Sequence, residues 1–175
     1  YYLLATPSRE KVETYKRLKE QVDQLVGQIN GRYSLLSWTP IHYITRSLPI
    51  KPVCGIYAAG DVALVTPLRD GMNLVAKEYC ASTFDDNGVL ILSEFAGAAA
   101  QMAKGALMVN PYDLESTADA IYAAFIMNPE EKQRRMRILR NEVKRNDVKR
   151  WVNWFLNPGK DPVGPAEHLV ENINS

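Results

Sequence analysis

Cysteine, histidine and net charge are what this sequence has least of, and each shortage removes a class of function. Its two cysteines, Cys54 and Cys80, stand far apart and match no zinc or redox spacing. They read as reduced, buried small hydrophobes of a cytoplasmic protein. Neither of its two histidines has a second His or a Cys three to five residues away, so no metal site is expected. His42, in a strand candidate, has no visible base–nucleophile partner and reads as structural. A net charge of +1 gives no global field that would draw nucleic acid or an acidic membrane surface. No stretch approaches the roughly 18 apolar residues a membrane-spanning helix needs. An initiating Met is missing as well. Tyr1-Tyr2-Leu3-Leu4-Ala5 lacks the basic start and cleavage site of a signal peptide. It reads as a β-strand of a longer polypeptide, so the chain is expected to be a fragment. What is present, 175 residues with 46% hydrophobic and 23% charged, suits one soluble globular domain.

Short apolar runs alternate with longer helical patterns. Residues 1–6 form an apolar run closed by Pro7. Over 8–30, Val12, Tyr15, Leu18, Val22, Leu25, Val26 and Ile29 mark one face of a helix that Gly31 stops. A short strand is expected over 40–44, and a helix over 51–59 closed by Gly60. The apolar runs at 61–67, 89–93 and 106–111 have the character of central parallel strands, buried on both faces. Helical patterns follow at 73–84, 96–103 and 113–128. In the last of these, Leu114, Ala118, Ile121, Tyr122 and Phe125 share one face. Asn128, Pro129 and Glu131 form a helix start with a capping box. The basic helix they open runs toward Trp151, Trp154, Phe155 and Leu156. Its charges are interrupted by Glu142 and Asp147 and read as a solvated face, the rings as packing anchors. Five apolar runs alternating with helices predict a doubly wound, mostly parallel Rossmann-like α/β sheet. The expected layout is one domain over 1–157 and an irregular tail over 158–175.

In open parallel sheets, ligands bind beyond the carboxyl ends of the strands, where loops enter the next helix. After 61–66 that junction reads Arg69-Asp70-Gly71-Met72-Asn73-Leu74-Val75-Ala76-Lys77-Glu78. Met72, Asn73, Leu74 and Val75 would form the first helical turn, with free N–H groups and the positive end of the helix dipole. A diphosphate suits that place, and Gly71 permits close approach to the backbone. Asp70 and Glu78 flank the seat at roughly 10–12 Å from one another along a helix rising about 1.5 Å per residue. Carboxylates accept hydrogen bonds from paired hydroxyls, as a sugar and a ribose offer. Taken singly, Asp70 also reads as a helix cap and Glu78 as a solvated surface acid.

The complete string resembles the signature of trehalose-6-phosphate synthases, glycosyltransferase family 20. The likeness extends through Gly27-Gln28-Ile29-Asn30-Gly31-Arg32, Arg46-Ser47-Leu48, Leu92-Ser93-Glu94-Phe95-Ala96-Gly97 and Val109-Asn110-Pro111. It implies the C-terminal part of a two-domain GT-B glycosyltransferase, a retaining enzyme that moves glucose from UDP-glucose to glucose 6-phosphate without metal or cofactor. On that resemblance Asp70, at the reacting sugar, holds the donor glucose with the backbone of Gly71, Met72 and Asn73. Leu74 and Val75 meet the diphosphate, Glu78 the ribose, and Leu48 the base pocket. The acceptor would be held by an N-terminal domain absent from this chain; absent too would be the early part of the C-terminal domain, with a basic Arg/Lys pair that grips the donor phosphates. The chain alone is therefore expected to be inactive. Glucosylglycerol-phosphate synthase using ADP-glucose, and a non-catalytic regulatory subunit of the same fold, are the alternatives; a homo-oligomer is left open.

Overall fold

The computed structural model describes residues 1–6 and 12–157. Pro7 as strand stop, the helix start at Ser8, and the tail over 158–175 lie outside the described residues. So do the side chains of Trp151 and Trp154. Two compact units divide the chain, the first over Tyr1–Ile50 and the second from Lys51 onward.

In the first unit, β1 (Tyr2–Leu4) pairs in parallel with β2 (His42–Ile44), with Leu3 opposite Tyr43. α1 (Glu13–Tyr33) connects them. This helix does not stop at Gly31 but runs two residues further, since a glycine inside a helix costs only about 1 kcal/mol. Asn30 fastens its end. The Asn30 side chain donates to the Ile41 carbonyl at 2.9 Å and accepts the Ile41 N–H at 3.0 Å. That clamp sets where the chain enters β2. His42 stacks on Tyr2 with ring centroids 4.8 Å apart, a structural contact. Of the apolar face expected on α1, Val26 alone is buried.

The second unit opens with α2 (Ile50–Ala59), which begins at the last residue of the first. Three parallel strands follow in the order β3 (Val62–Val65), β4 (Val89–Ser93), β5 (Leu107–Val109). Every residue of the central strand β4 is buried, as a strand covered on both faces must be. Alternation assigns the two faces. Leu90 and Leu92 pack with Ala76 and Tyr79 of α3 (Leu74–Ser82), Met102 of α4 (Ala99–Met102), and Met136 and Leu139 of α6 (Pro129–Arg145). Val89 and Ile91 pack with Ala124 of α5 (Leu114–Ile126). Helices thus cover both faces of a parallel sheet, the doubly wound α/β arrangement read from the sequence.

Several local expectations change. On α5 the small residues Ala120 and Ala124 meet the sheet, because they allow helix and strands to lie close. The shared face of Leu114, Ile121, Tyr122 and Phe125 is exposed instead. α4 is shorter than expected: 96–98 are spent in a turn. The basic helix is two helices, α6 and α7 (Val148–Leu156). Asn146 ends the first, its side chain bonding Glu142, and Asp147 caps the second by accepting the Arg150 N–H at 2.8 Å. Asn128 caps α6 as expected, but the Glu131 carboxylate turns outward to Arg134 and Arg135 and leaves the capping box half made. Arg137 and Arg140 of the basic face both reach Asp86, in the turn before β4. Cys54 and Cys80 are free; Cys54 is half-buried rather than buried, while burial pushes the Cys80 thiol up to about 12.

Candidate donor-binding site

The site stands where β3 leaves the sheet and α3 begins. Asp70 organises this turn. Its Oδ1 accepts the backbone N–H groups of Met72 and Asn73, both at 3.1 Å, and its Oδ2 accepts the Asn73 side-chain amide at 3.0 Å. Asn73 takes a left-handed backbone, φ 70°, a conformation that Asn tolerates better than most side chains. From there its Oδ1 accepts the Ala76 N–H at 2.9 Å and caps α3. The cap is therefore Asn73 and not Asp70, and the helix starts at Leu74, two residues later than the sequence reading placed its first turn.

This relay sorts the donors of the turn. Met72, Asn73 and Ala76 give their N–H groups to Asp70 and Asn73. Among the described residues nothing accepts from the N–H of Leu74 or Val75, and both residues are exposed. Two unsatisfied amides thus stand at the positive end of a nine-residue helix, an arrangement that suits an anion. A Cβ placed on Gly71 would meet nothing within 4 Å, so the approach beside the turn is open.

Glu78 sits one turn along α3, half-buried rather than solvated. Its Oε2 accepts from the Tyr57 hydroxyl of α2 at 3.4 Å. Burial, and then the neighbouring Glu78 charge, push the Tyr57 phenol above its ordinary value, so it remains a neutral donor. Tyr57 in turn rests edge-on against Tyr79, with ring centroids 6.5 Å apart. Nothing in the sequence pattern singled out Tyr57. The one available signal was its place near the end of the helix preceding β3. Lys77, also half-buried, donates to Gln101 of α4 at 2.8 Å, and burial pushes its ammonium down.

A second turn, after β4, lies along the first. Asp70 forms a one-residue parallel bridge with Ala96. Glu94 at this turn is exposed, while Phe95 meets Tyr112 edge-on at 5.9 Å. Asp70, Gly71, Met72, Asn73, Leu74, Val75 and Glu78 thus form one local site in the second unit. Leu48 belongs to the first unit, in the segment that follows β2, and is half-buried. That unit has its own cleft of about 300 Å³ at the end of β2, lined by Tyr43, Ile44, Thr45 and Arg46. Among the described residues there is no group of three or more His, Cys, Asp or Glu able to hold a metal, and no helix long and apolar enough to cross a membrane.

Comparison with known proteins identifies the family and the fold. Residues 2–160 match glycosyltransferase family 20. The chain is 52% identical over 153 residues to the trehalose-6-phosphate synthase of Mycolicibacterium smegmatis, covering 87% of this chain and 30% of that protein. Two solved structures superpose on it with TM-scores of 0.85. One, from E. coli, is 41% identical and bound with UDP-2-fluoro glucose, covering 89% of this chain and 35% of that one. The other, an alpha,alpha-trehalose-phosphate synthase (UDP-forming) from Burkholderia xenovorans in complex with glucose-6-phosphate, is 40% identical and covers 89% and 34%. The chain spans about a third of the length of the curated relatives it matches.

Proposed function

Because this chain belongs to glycosyltransferase family 20, we propose that residues 1–157 are part of the C-terminal nucleotide-sugar-binding domain of a retaining glucosyltransferase. The reaction proposed for the whole protein moves glucose from UDP-glucose to glucose 6-phosphate and yields trehalose 6-phosphate. The observation that carries this reading is the Asp70–Asn73–Ala76 relay, which leaves the Leu74 and Val75 amides free at the head of α3.

In the transfer, the bond from the anomeric carbon to the UDP phosphate oxygen breaks. UDP leaves with the electron pair, and an acceptor hydroxyl bonds to that carbon and gives up its proton. Negative charge grows on the diphosphate as this happens. Two fixed amides and the helix dipole stabilise it without having to reorganise. Asp70 faces the donor glucose and the Gly71–Asn73 backbone lines the sugar. Glu78, backed by Tyr57, takes the ribose hydroxyls, its Oε1 accepting no hydrogen bond among the described residues. Leu48 is assigned to the base on the resemblance alone. UDP-glucose is favoured over ADP-glucose as donor because a related structure binds a UDP-glucose analogue.

The test is calorimetry of UDP, UDP-glucose and ADP-glucose with the wild-type chain and with Asp70→Ala and Glu78→Ala, beside a coupled UDP-release assay. Weak UDP-glucose binding that both substitutions reduce, with no turnover by this chain alone, is the expected outcome. Absence of heat with any nucleotide would favour the non-catalytic alternative, and a preference for ADP-glucose would move the assignment to the glycerol-phosphate enzyme.

A further inference from the structure

Gly97 lies in the turn after β4, and its N–H donates to the Asp70 carbonyl at 2.9 Å. The Asp70 N–H donates in turn to the Phe95 carbonyl at 3.3 Å. No side chain fits where these two turns cross. A Cβ on Gly97 would overlap the Gly71 carbonyl oxygen, and would stand 2.7 Å from the Gly71 carbonyl carbon and 3.2 Å from the Met72 Cα. All three are backbone atoms, so no rotamer change relieves the clash. They belong to the same residues that Asp70 folds into the head of α3. A second tie joins the same two segments further along, where Lys77 of α3 donates to Gln101 of α4.

We propose that Gly97 is a positioning residue for the donor seat, a role that rests on the donor-binding reading above. Its missing side chain lets the β4–α4 turn press directly on the Asp70–Met72 backbone. That contact sets where the Leu74 and Val75 amides point, although Gly97 itself touches no donor. The Lys77–Gln101 bond holds the helix behind them. A methyl group at 97 forces the turns apart, and displacements near 1 Å at such sites cost up to about 100-fold in activity.

The experiment measures UDP-glucose affinity by calorimetry, and thermal melting by circular dichroism, on the 175-residue chain. The variants are Gly97→Ala, Lys77→Met and, as control, Gly31→Ala, whose added Cβ meets nothing within 4 Å. Gly97→Ala is expected to bind about tenfold more weakly while still melting cooperatively. Lys77→Met should bind a few-fold more weakly, and Gly31→Ala as the wild type does. Wild-type affinity in Gly97→Ala overturns the inference and leaves the donor-site reading standing. No binding by the wild type overturns the reading itself, and the inference with it. Should Gly97→Ala fail to fold, Lys77→Met decides: unchanged affinity there overturns the positioning role.

Discussion

Asp70 holds Asn73 from two sides, taking its backbone N–H at 3.1 Å on one carboxylate oxygen and its side-chain amide at 3.0 Å on the other. With the Met72 N–H also bound, three of the roughly four acceptor positions of a carboxylate are occupied. Asp70 therefore shapes the turn before it can hold a ligand. Asp70→Ala should lose both roles: about 1–2 kcal/mol of stability, as for the loss of a helix-start acceptor, and donor binding. Asp70→Asn retains one acceptor oxygen and should recover much of the stability but little of the binding. Urea unfolding beside calorimetry separates the two. Equal stability in Asp70→Ala and wild type would contradict the organising role.

Asn73 combines a left-handed backbone with a side-chain cap. Asn73→Gly keeps the backbone and loses the cap, so a loss of a few tenths of a kcal/mol is expected. Asn73→Val loses the cap and strains the backbone, and should cost about 2 kcal/mol or more. Chemical denaturation of the pair checks the order; a valine variant no weaker than the glycine one would refute the strain.

Gly88 faces a fixed partner in the same way as Gly97, but inside the core. A Cβ there would overlap the Tyr79 hydroxyl and approach Thr83 Cγ2 to 2.9 Å. Tyr79 cannot turn aside without leaving the Gly60 carbonyl, which it bonds at 3.0 Å. Gly88→Ala should destabilise by about 1–3 kcal/mol, the usual cost of overpacking, measured as a lower urea midpoint.

Acid should loosen the contact between α6 and the turn before β4. Burial pushes the Asp86 carboxyl up, but the Arg140 and Arg137 guanidinium groups more than offset this and hold it below the ordinary range. Glu131 is drawn down to about 2, first by its hydrogen bond to Arg134. A folded-state value below the unfolded one stabilises above the unfolded value, near pH 4 for a carboxylate. That stabilisation is lost as pH falls through the folded value. Urea midpoints should therefore drop between about pH 4 and pH 2, and Arg140→Ala should flatten part of the fall. An unchanged slope in that variant would contradict the Asp86 assignment.

What the sequence made legible depended on how local its cause was. β4 has its expected bounds, because a five-residue apolar run between turn residues has one good solution in a two-sided sheet. The junction from β3 into α3, with Gly71 and two acids beside it, was readable as a pattern. The family resemblance named Leu74 and Val75 there, but the physical reason their amides stay free was not readable, since it follows from the Asp70–Asn73 pairing and a positive φ. The α5 face was misleading because sheet contact chose small residues over the larger apolar stripe. Tyr57 beside Glu78, and Gly97 against Gly71, join residues that are distant in sequence and carry no local pattern.

In the proposed donor site the Leu74 and Val75 amides hold the diphosphate of a nucleotide sugar. Titration of UDP-glucose into the isotope-labelled chain, followed by amide resonances, tests it most directly. The Leu74 and Val75 signals should move furthest, together with Asp70, Gly71 and Glu78, and saturate at one shared concentration. Resonances of these residues that stay in place at millimolar UDP-glucose would contradict it.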